Sequence, residues 1–230
     1  MTYKLEVVAE YPHDINAYTQ GLFFHEGVMY ESTGQYGESS LRMVNMKTGK
    51  PIKRKSVSKD YFVEGSVVFG GDMYVLTWME KTAFVYDPKT LELKSQISYP
   101  REGWGLTTDG ESLIASDGTS NLYFLDKYFK LKRYVQVCLG MRPVRFLNEL
   151  EYIDGKVWAN VYTADEIVII NPKTGAVEGV IDCKDLLPQD LRTYDTDVLN
   201  GIAYDSQSGK IYLTGKNWPK LYEVKLIPTN

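Results

Sequence analysis

The chain has 230 residues, is 43% hydrophobic and carries a formal net charge of −4, which is enough to bury one core as a single domain over residues 1–230. With no long Lys/Arg run and no apolar stretch near the ~18 residues of a bilayer span, the sequence argues against nucleic-acid binding and against a membrane-spanning helix. Its 18 Tyr, 8 Phe and 4 Trp stand among Val, Ile and Thr in short runs, a strand composition.

From the first residues onward, Met1-Thr2-Tyr3-Lys4-Leu5 reads as a strand rather than a secretory leader. A unit then recurs: a polar or aromatic residue, an apolar strand, a tight Gly or Asp/Gly turn, and a second apolar strand ending in small polar residues. Its copies begin at Gln20-Gly21-Leu22, Glu64-Gly65-Ser66, Trp104-Gly105-Leu106, Asn148-Glu149-Leu150 and Asn200-Gly201-Ile202, so successive starts lie 44, 40, 44 and 52 residues apart. Blades of four short strands need roughly 40–50 residues each. Third strands are visible at 41–45, 83–87, 122–126, 167–171 and 221–225, and after four of them a turn leads to an outer strand. The last copy runs out of chain, and the alternation in Tyr3–Val8 supplies what it lacks.

The predicted fold is therefore an all-β, five-bladed β-propeller whose N-terminal strand completes the last blade, closing the ring without an unpaired edge. A β-sandwich would not explain copies in phase. Two insertions break the regularity, at 139–146 and 182–198, and Asp185–Leu191 within the second is predicted to form a short helix. Cys138 and Cys183 match no metal spacing and are read as unpaired, partly buried thiols.

In a propeller the first strand of each blade lines the central channel, so the residues just before those strands converge at one mouth. Here they are Gln20, Glu64, Trp104, Asn148 and Asn200: one carboxylate among three carboxamides and an indole. These groups could do no more than satisfy turn backbones and one another. Trp78 and Lys216, at the ends of second strands, fall near the same mouth, although core packing is the commoner fate of a Trp and solvation that of a Lys.

Longer motifs point further. Tyr18-Thr19-Gln20-Gly21-Leu22, Glu102-Gly103-Trp104-Gly105-Leu106, Leu147-Asn148-Glu149-Leu150-Glu151-Tyr152, Leu199-Asn200-Gly201-Ile202-Ala203-Tyr204 and Thr214-Gly215-Lys216-Asn217-Trp218-Pro219 are collinear with, and resemble, the plant-type glutaminyl-peptide cyclotransferases. The resemblance implies a five-bladed propeller that converts N-terminal glutaminyl residues of peptides and proteins to 5-oxoproline with release of ammonia. It also implies an extracytoplasmic setting, and the protein is expected to act as a monomer. Glu64 corresponds to the family's essential glutamate, and Gln20, Phe62, Trp78, Trp104, Asn148 and Lys216 fall on positions lining its substrate pocket. Where many members read Trp-Ala-Asn-x-Trp, this chain has Trp158-Ala159-Asn160-Val161-Tyr162, so Tyr162 gives that wall a different shape and polarity.

Cyclisation brings the α-amine onto the γ-carboxamide carbon, and orientation supplies much of the acceleration. Phe62, Trp78 and Trp104 suit the clamping, and Glu64 suits transfer of a proton from the amine to the departing nitrogen. The oxyanion needs preorganised donors, for which Gln20, Asn148 and Lys216 are equal candidates. With His13 and His25 the only histidines, no catalytic metal or other cofactor is expected, and a structural Ca²⁺ in the channel stays open. Two rivals share the fold: a Ca²⁺-dependent lactonase-type hydrolase, which needs several carboxylates at the mouth, and a non-catalytic peptide-binding propeller.

Overall fold

The computed structural model describes residues 1–229. Its strands form four-stranded antiparallel sets in chain order, the last two of which are joined through β1 and β19 into a single eight-stranded sheet. The first holds β2 (Thr19–His25), β3 (Val28–Thr33), β4 (Ser40–Val44) and β5 (Pro51–Ser56), and the second β6 (Val63–Phe69), β7 (Asp72–Thr77), β8 (Thr82–Tyr86) and β9 (Leu93–Ser98). The third comprises β10 (Leu106–Thr108), β11 (Leu113–Ala115), β12 (Asn121–Leu125) and β13 (Leu131–Gln136). A small hairpin, β14 (Cys138–Leu139) with β15 (Arg142–Pro143), precedes β16 (Leu147–Ile153), β17 (Lys156–Val161), β18 (Glu166–Ile170) and β19 (Val177–Asp182). The last sheet joins β20 (Leu199–Asp205), β21 (Lys210–Gly215) and β22 (Lys220–Thr229) to β1 (Thr2–Pro12).

The first strand thus lies where the alternation placed it. It runs antiparallel to β22 from Thr2–Thr229 to Pro12–Lys220, and its beginning also pairs parallel with β19. In the first three sheets the inner strand is buried and the outer one exposed: β2 and β6 are buried from end to near end, whereas β5, β9 and β13 are almost wholly exposed. The apolar side chains pack between neighbouring sheets. Leu76 and Tyr74 meet Leu106 and Tyr123, Leu122 and Phe124 meet Val157 and Val168, and Leu22 and Met29 meet Ala203 and Tyr212. That last cluster joins the final sheet to the first, so the arrangement is all-β and propeller-like.

Inner strands approach one another too closely for side chains at certain positions. A Cβ on Gly65 would stand 2.5 Å from the Leu106 nitrogen, and one on Gly105 only 2.0 Å from the Asn148 carbonyl oxygen. In the fourth sheet the equivalent residue is Glu149, whose carboxylate accepts Leu22 N–H at 3.3 Å and Ile202 N–H at 2.8 Å. Its side chain ties three inner strands together where Gly65 and Gly105 allow contact between backbones.

Two local expectations change. Asp185–Leu191 is not a helix but a loop containing a single 3-10 turn, Gln189–Leu191, after Pro188. Pro188 has no N–H to extend a helix, and Leu186 and Leu187 are buried in the core rather than forming a helical stripe. Gln20, Glu64, Asn148 and Asn200 do not precede their strands. Each is the second residue of its strand, and pairing shifts register immediately around it. Such bulges re-aim side chains, and these turn toward the ring's interior. Cys138 and Cys183 are both free, the first half-buried and the second buried.

Candidate active site

A pocket of about 550 Å³ opens at the end of the ring where the bulges lie, lined by Gln20, Phe62, Glu64, Trp78, Trp104, Asn148, Tyr162 and Lys216. Eight of the nine residues expected in the site therefore come together: Gln20, Glu64 and Asn148 from inner strands, and Phe62, Trp78, Trp104, Tyr162 and Lys216 from the segments that flank strands. Asn200 is the exception. Its Nδ2 donates to the Thr19 carbonyl at 2.9 Å and to Gln20 Oε1 at 3.4 Å, so it supports Gln20 from behind instead of facing the cavity.

Glu64 lies on the floor, 5% exposed, and accepts a hydrogen bond from Gln20 Nε2 at 3.2 Å. Burial pushes its carboxyl well above the usual carboxylate range; Lys216 pulls it down, while Glu80 and Glu102 add to the rise. Lys216 defies the habit of lysines and is 3% exposed. Its ammonium sits 4.6 Å from the centre of the Tyr18 ring and 5.2 Å from that of Tyr162, a seat between two aromatic faces. Burial lowers its pKa, and Glu64 and Asp197 oppose the shift. The departure Tyr162 thus retains a ring that holds the lysine and packs edge-on against Trp104 at 5.6 Å.

The aromatic walls are fixed to each other. Phe62 packs edge-on with Trp78, Tyr36 and Tyr18. The indole N–H groups of Trp78 and Trp104 both donate to Glu102 Oε2, each at 3.1 Å, so one carboxylate joins two walls contributed by neighbouring sheets. Asn148 leaves its Oδ1 buried without a protein partner, an acceptor at the pocket awaiting a donor.

Three contributors were not anticipated. Tyr18 and Gln35 line the pocket from loops outside the repeat's ring positions, and Tyr18 donates its hydroxyl to Asp197 at 2.9 Å. Glu102 stands two residues before Trp104, and no spacing marks it. Deeper in the ring, Glu149 and Glu151 are further buried carboxylates that attention to the bulge positions alone overlooks. Backbone amides occupy them: Tyr204 N–H donates to Glu151 at 2.9 Å, and Glu149 has the two amides described above. Among the described residues no group of three or more His, Cys, Asp or Glu side chains is placed to hold a metal ion, and no helix is long and apolar enough to cross a membrane.

Burial pushes Glu151 up to about 8. It stays neutral in the folded protein to that pH but ionises near the ordinary carboxylate value once unfolded. Its contribution is complete below that ordinary value and is lost as pH rises toward about 8. Glu151→Gln keeps an acceptor for Tyr204 N–H and abolishes the titration. Thermal melts should show little change near pH 5 and a higher Tm than wild type near pH 8; an unaltered decline with pH would contradict this assignment.

The comparisons with known proteins bear on the family and the fold. A model of the glutamine cyclotransferase family matches residues 1–226. The glutaminyl-peptide cyclotransferase of Arabidopsis thaliana is 44% identical over 228 residues, covering 97% of this chain and 71% of that protein. The crystal structure of the glutaminyl cyclase of Myxococcus xanthus matches with a TM-score of 0.93 at 36% identity, over 100% of this chain and 99% of that one. BamB from Moraxella catarrhalis, at 12% identity, a TM-score of 0.52 and 98% and 99% coverage, shares the fold alone. Fold, pocket and relatives together define an all-β transferase. The chain belongs to the glutamine cyclotransferase family.

Proposed function

We propose that this protein is a five-bladed propeller that cyclises N-terminal glutaminyl residues of peptides and proteins to 5-oxoproline, releasing ammonia. The observation carrying this reading is one buried carboxyl, Glu64, on the floor of a pocket walled by Phe62, Trp78 and Trp104, with Lys216 beside it.

The aromatic walls hold the glutamine side chain folded back on its own amine, so that attack becomes a matter of orientation rather than encounter. The neutral α-amine adds to the γ-carboxamide carbon, forming the C–N bond of the lactam. Glu64, as carboxylate, takes the proton that the amine nitrogen sheds and returns it to the departing nitrogen, which leaves as ammonia when the old C–N bond breaks. A carboxyl whose pKa is raised by burial suits both halves of that transfer. Gln20 Nε2 is already engaged with Glu64, so the Lys216 ammonium is the best-placed partner for the oxyanion. The unpartnered Asn148 Oδ1 accepts from the substrate's amine or its amide NH₂.

The lactonase-type reading loses support, because the additional channel carboxylates Glu149 and Glu151 are taken up by backbone amides. A binding protein with the same pocket remains the competitor. Incubating the protein with Gln-Gly-amide in the presence of EDTA should release ammonia and reduce the peptide's mass by one ammonia. Folded protein that binds the peptide and leaves it intact would favour the competitor. By the family resemblance we also assign it an extracytoplasmic location, and we propose a monomeric state; cell fractionation and light scattering check the two.

A further inference from the structure

The pocket does not end at its aromatic walls. A second cavity of about 760 Å³ adjoins it, and the two share Tyr18 and Gln35 as a common partition. The character of the lining changes across that partition. Beyond it stand Asn16, Glu38, Thr193, Asp195 and Asn217, with Ile15 the one aliphatic side chain and no Lys or Arg among the described residues that line it. Amide and hydroxyl groups of this kind match the alternating N–H and C=O of a polypeptide backbone, and the two carboxylates give the cavity a negative character.

The partition itself is built under constraint. Gln35 has a φ of 91°, a left-handed conformation that a side chain of its type seldom adopts. Its carbonyl is pinned by the Glu38 and Ser39 amides at 3.0 and 2.9 Å and by the Ser39 hydroxyl at 2.9 Å. Glycine would serve that backbone with less strain; what Gln35 adds is a carboxamide at the junction of the two cavities. Strain of this sort persists where the surroundings enforce it and points to use. Asn217, across the cavity, is likewise left-handed at a φ of 58°; its Nδ2 is tied to the Ile15 carbonyl at 2.8 Å. Tyr194, fully exposed between Thr193 and Asp195, adds an aromatic face on the same loop.

We propose that this second cavity is the binding groove for the substrate chain beyond its N-terminal glutamine, with Gln35 and Asn217 contacting the peptide main chain and Glu38 and Asp195 favouring basic side chains. The inference rests on the glutaminyl reading of the first pocket. It names the preferred substrates as peptides with Lys or Arg soon after the glutamine, a selectivity that the first pocket, closed around one side chain, does not supply.

The test separates the groove from the chemistry by measuring binding without turnover. In the Glu64→Gln background, calorimetry at low salt compares Gln-Gly-amide, Gln-Gly-Lys-Lys-amide and Gln-Gly-Glu-Glu-amide. The basic peptide should bind about five-fold more tightly than Gln-Gly-amide, the size expected of two exposed ion pairs, and lose that margin as salt is raised. Adding Glu38→Lys and Asp195→Lys should reverse the order in favour of the acidic peptide. Gln35→Gly should keep or raise Tm while reducing the gain from the longer chain. Equal affinities for the three peptides, or an order unmoved by the charge reversal, would overturn the groove. Failure of wild-type protein to cyclise Gln-Gly-amide would instead overturn the reading of the first pocket, and the calorimetric comparison would still decide the second.

Discussion

Replacing Glu64 by Gln lowers kcat by at least about 100-fold, the usual worth of a positioned general acid–base. Gln preserves the shape of the side chain and an acceptor for Gln20 Nε2, but it neither takes up nor returns a proton. Melting temperature should stay level or rise slightly, because the variant no longer buries an ionisable group whose charged form is disfavoured there. KM for Gln-Gly-amide should move little, since the clamping rings are untouched. In wild type, the acid limb of the kcat/KM profile should carry two ionisations, that of the substrate's α-ammonium and that of Glu64 above the ordinary carboxylate range, and only the first should survive in any residual activity of the variant. Near-normal turnover by Glu64→Gln would remove the carboxylate from the mechanism altogether.

A large effect on stability is expected at Gly105→Ala. The added methyl would meet the Asn148 carbonyl oxygen at 2.0 Å and Leu150 Cγ at 2.8 Å. The first of these is backbone of the next inner strand and has no rotamer to change. Relief requires the third and fourth sheets to move apart, which opens the apolar interface of Ile114, Leu122 and Phe124 against Leu150 and Val157. Overpacking of this kind costs about 3 kcal/mol, or roughly 6–12 °C in Tm for a chain of this size. Gly70→Ala is the control: it meets nothing within 4 Å, so its cost is that of a left-handed turn residue alone, about 1 kcal/mol. Equal melting of the two variants would mean that contact between inner strands does not limit the ring.

The repeat was legible because it obeys a rule that depends on sequence alone: a two-residue alternation broken at even intervals by turn residues. The positions of β1, of the inner strands and of Glu64 follow from that rule. What escaped the rule was whatever a single residue does against a distant partner. Nothing about Glu102 in sequence indicates that it will take both indole N–H groups. Gln35 reads as one polar loop residue among several, and only the folded chain places it between the two cavities. Lys216 runs against composition, since a lysine in a polar loop is ordinarily solvated, and its aromatic seat is assembled from Tyr18 and Tyr162, far from it in the chain. Asn200 erred in the other direction. It shares the bulge position with Gln20, yet the bond to Thr19 draws its amide behind the wall.

The pairing of β1 with β22 sets an order of events during synthesis. The ribosome delivers Thr2–Pro12 long before its antiparallel neighbour, Lys220–Thr229. At roughly 5–20 residues per second the earliest strand waits roughly 10–40 s for its partner. Through that interval the sheets from β2 onward can assemble, and until Val177–Asp182 emerges the eleven-residue β1 has neither of its neighbours. Completion of that sheet therefore waits for β22, and a chain terminated before Lys220 would leave one long edge of β1 unpaired, with only the short parallel pairing to β19 on the other.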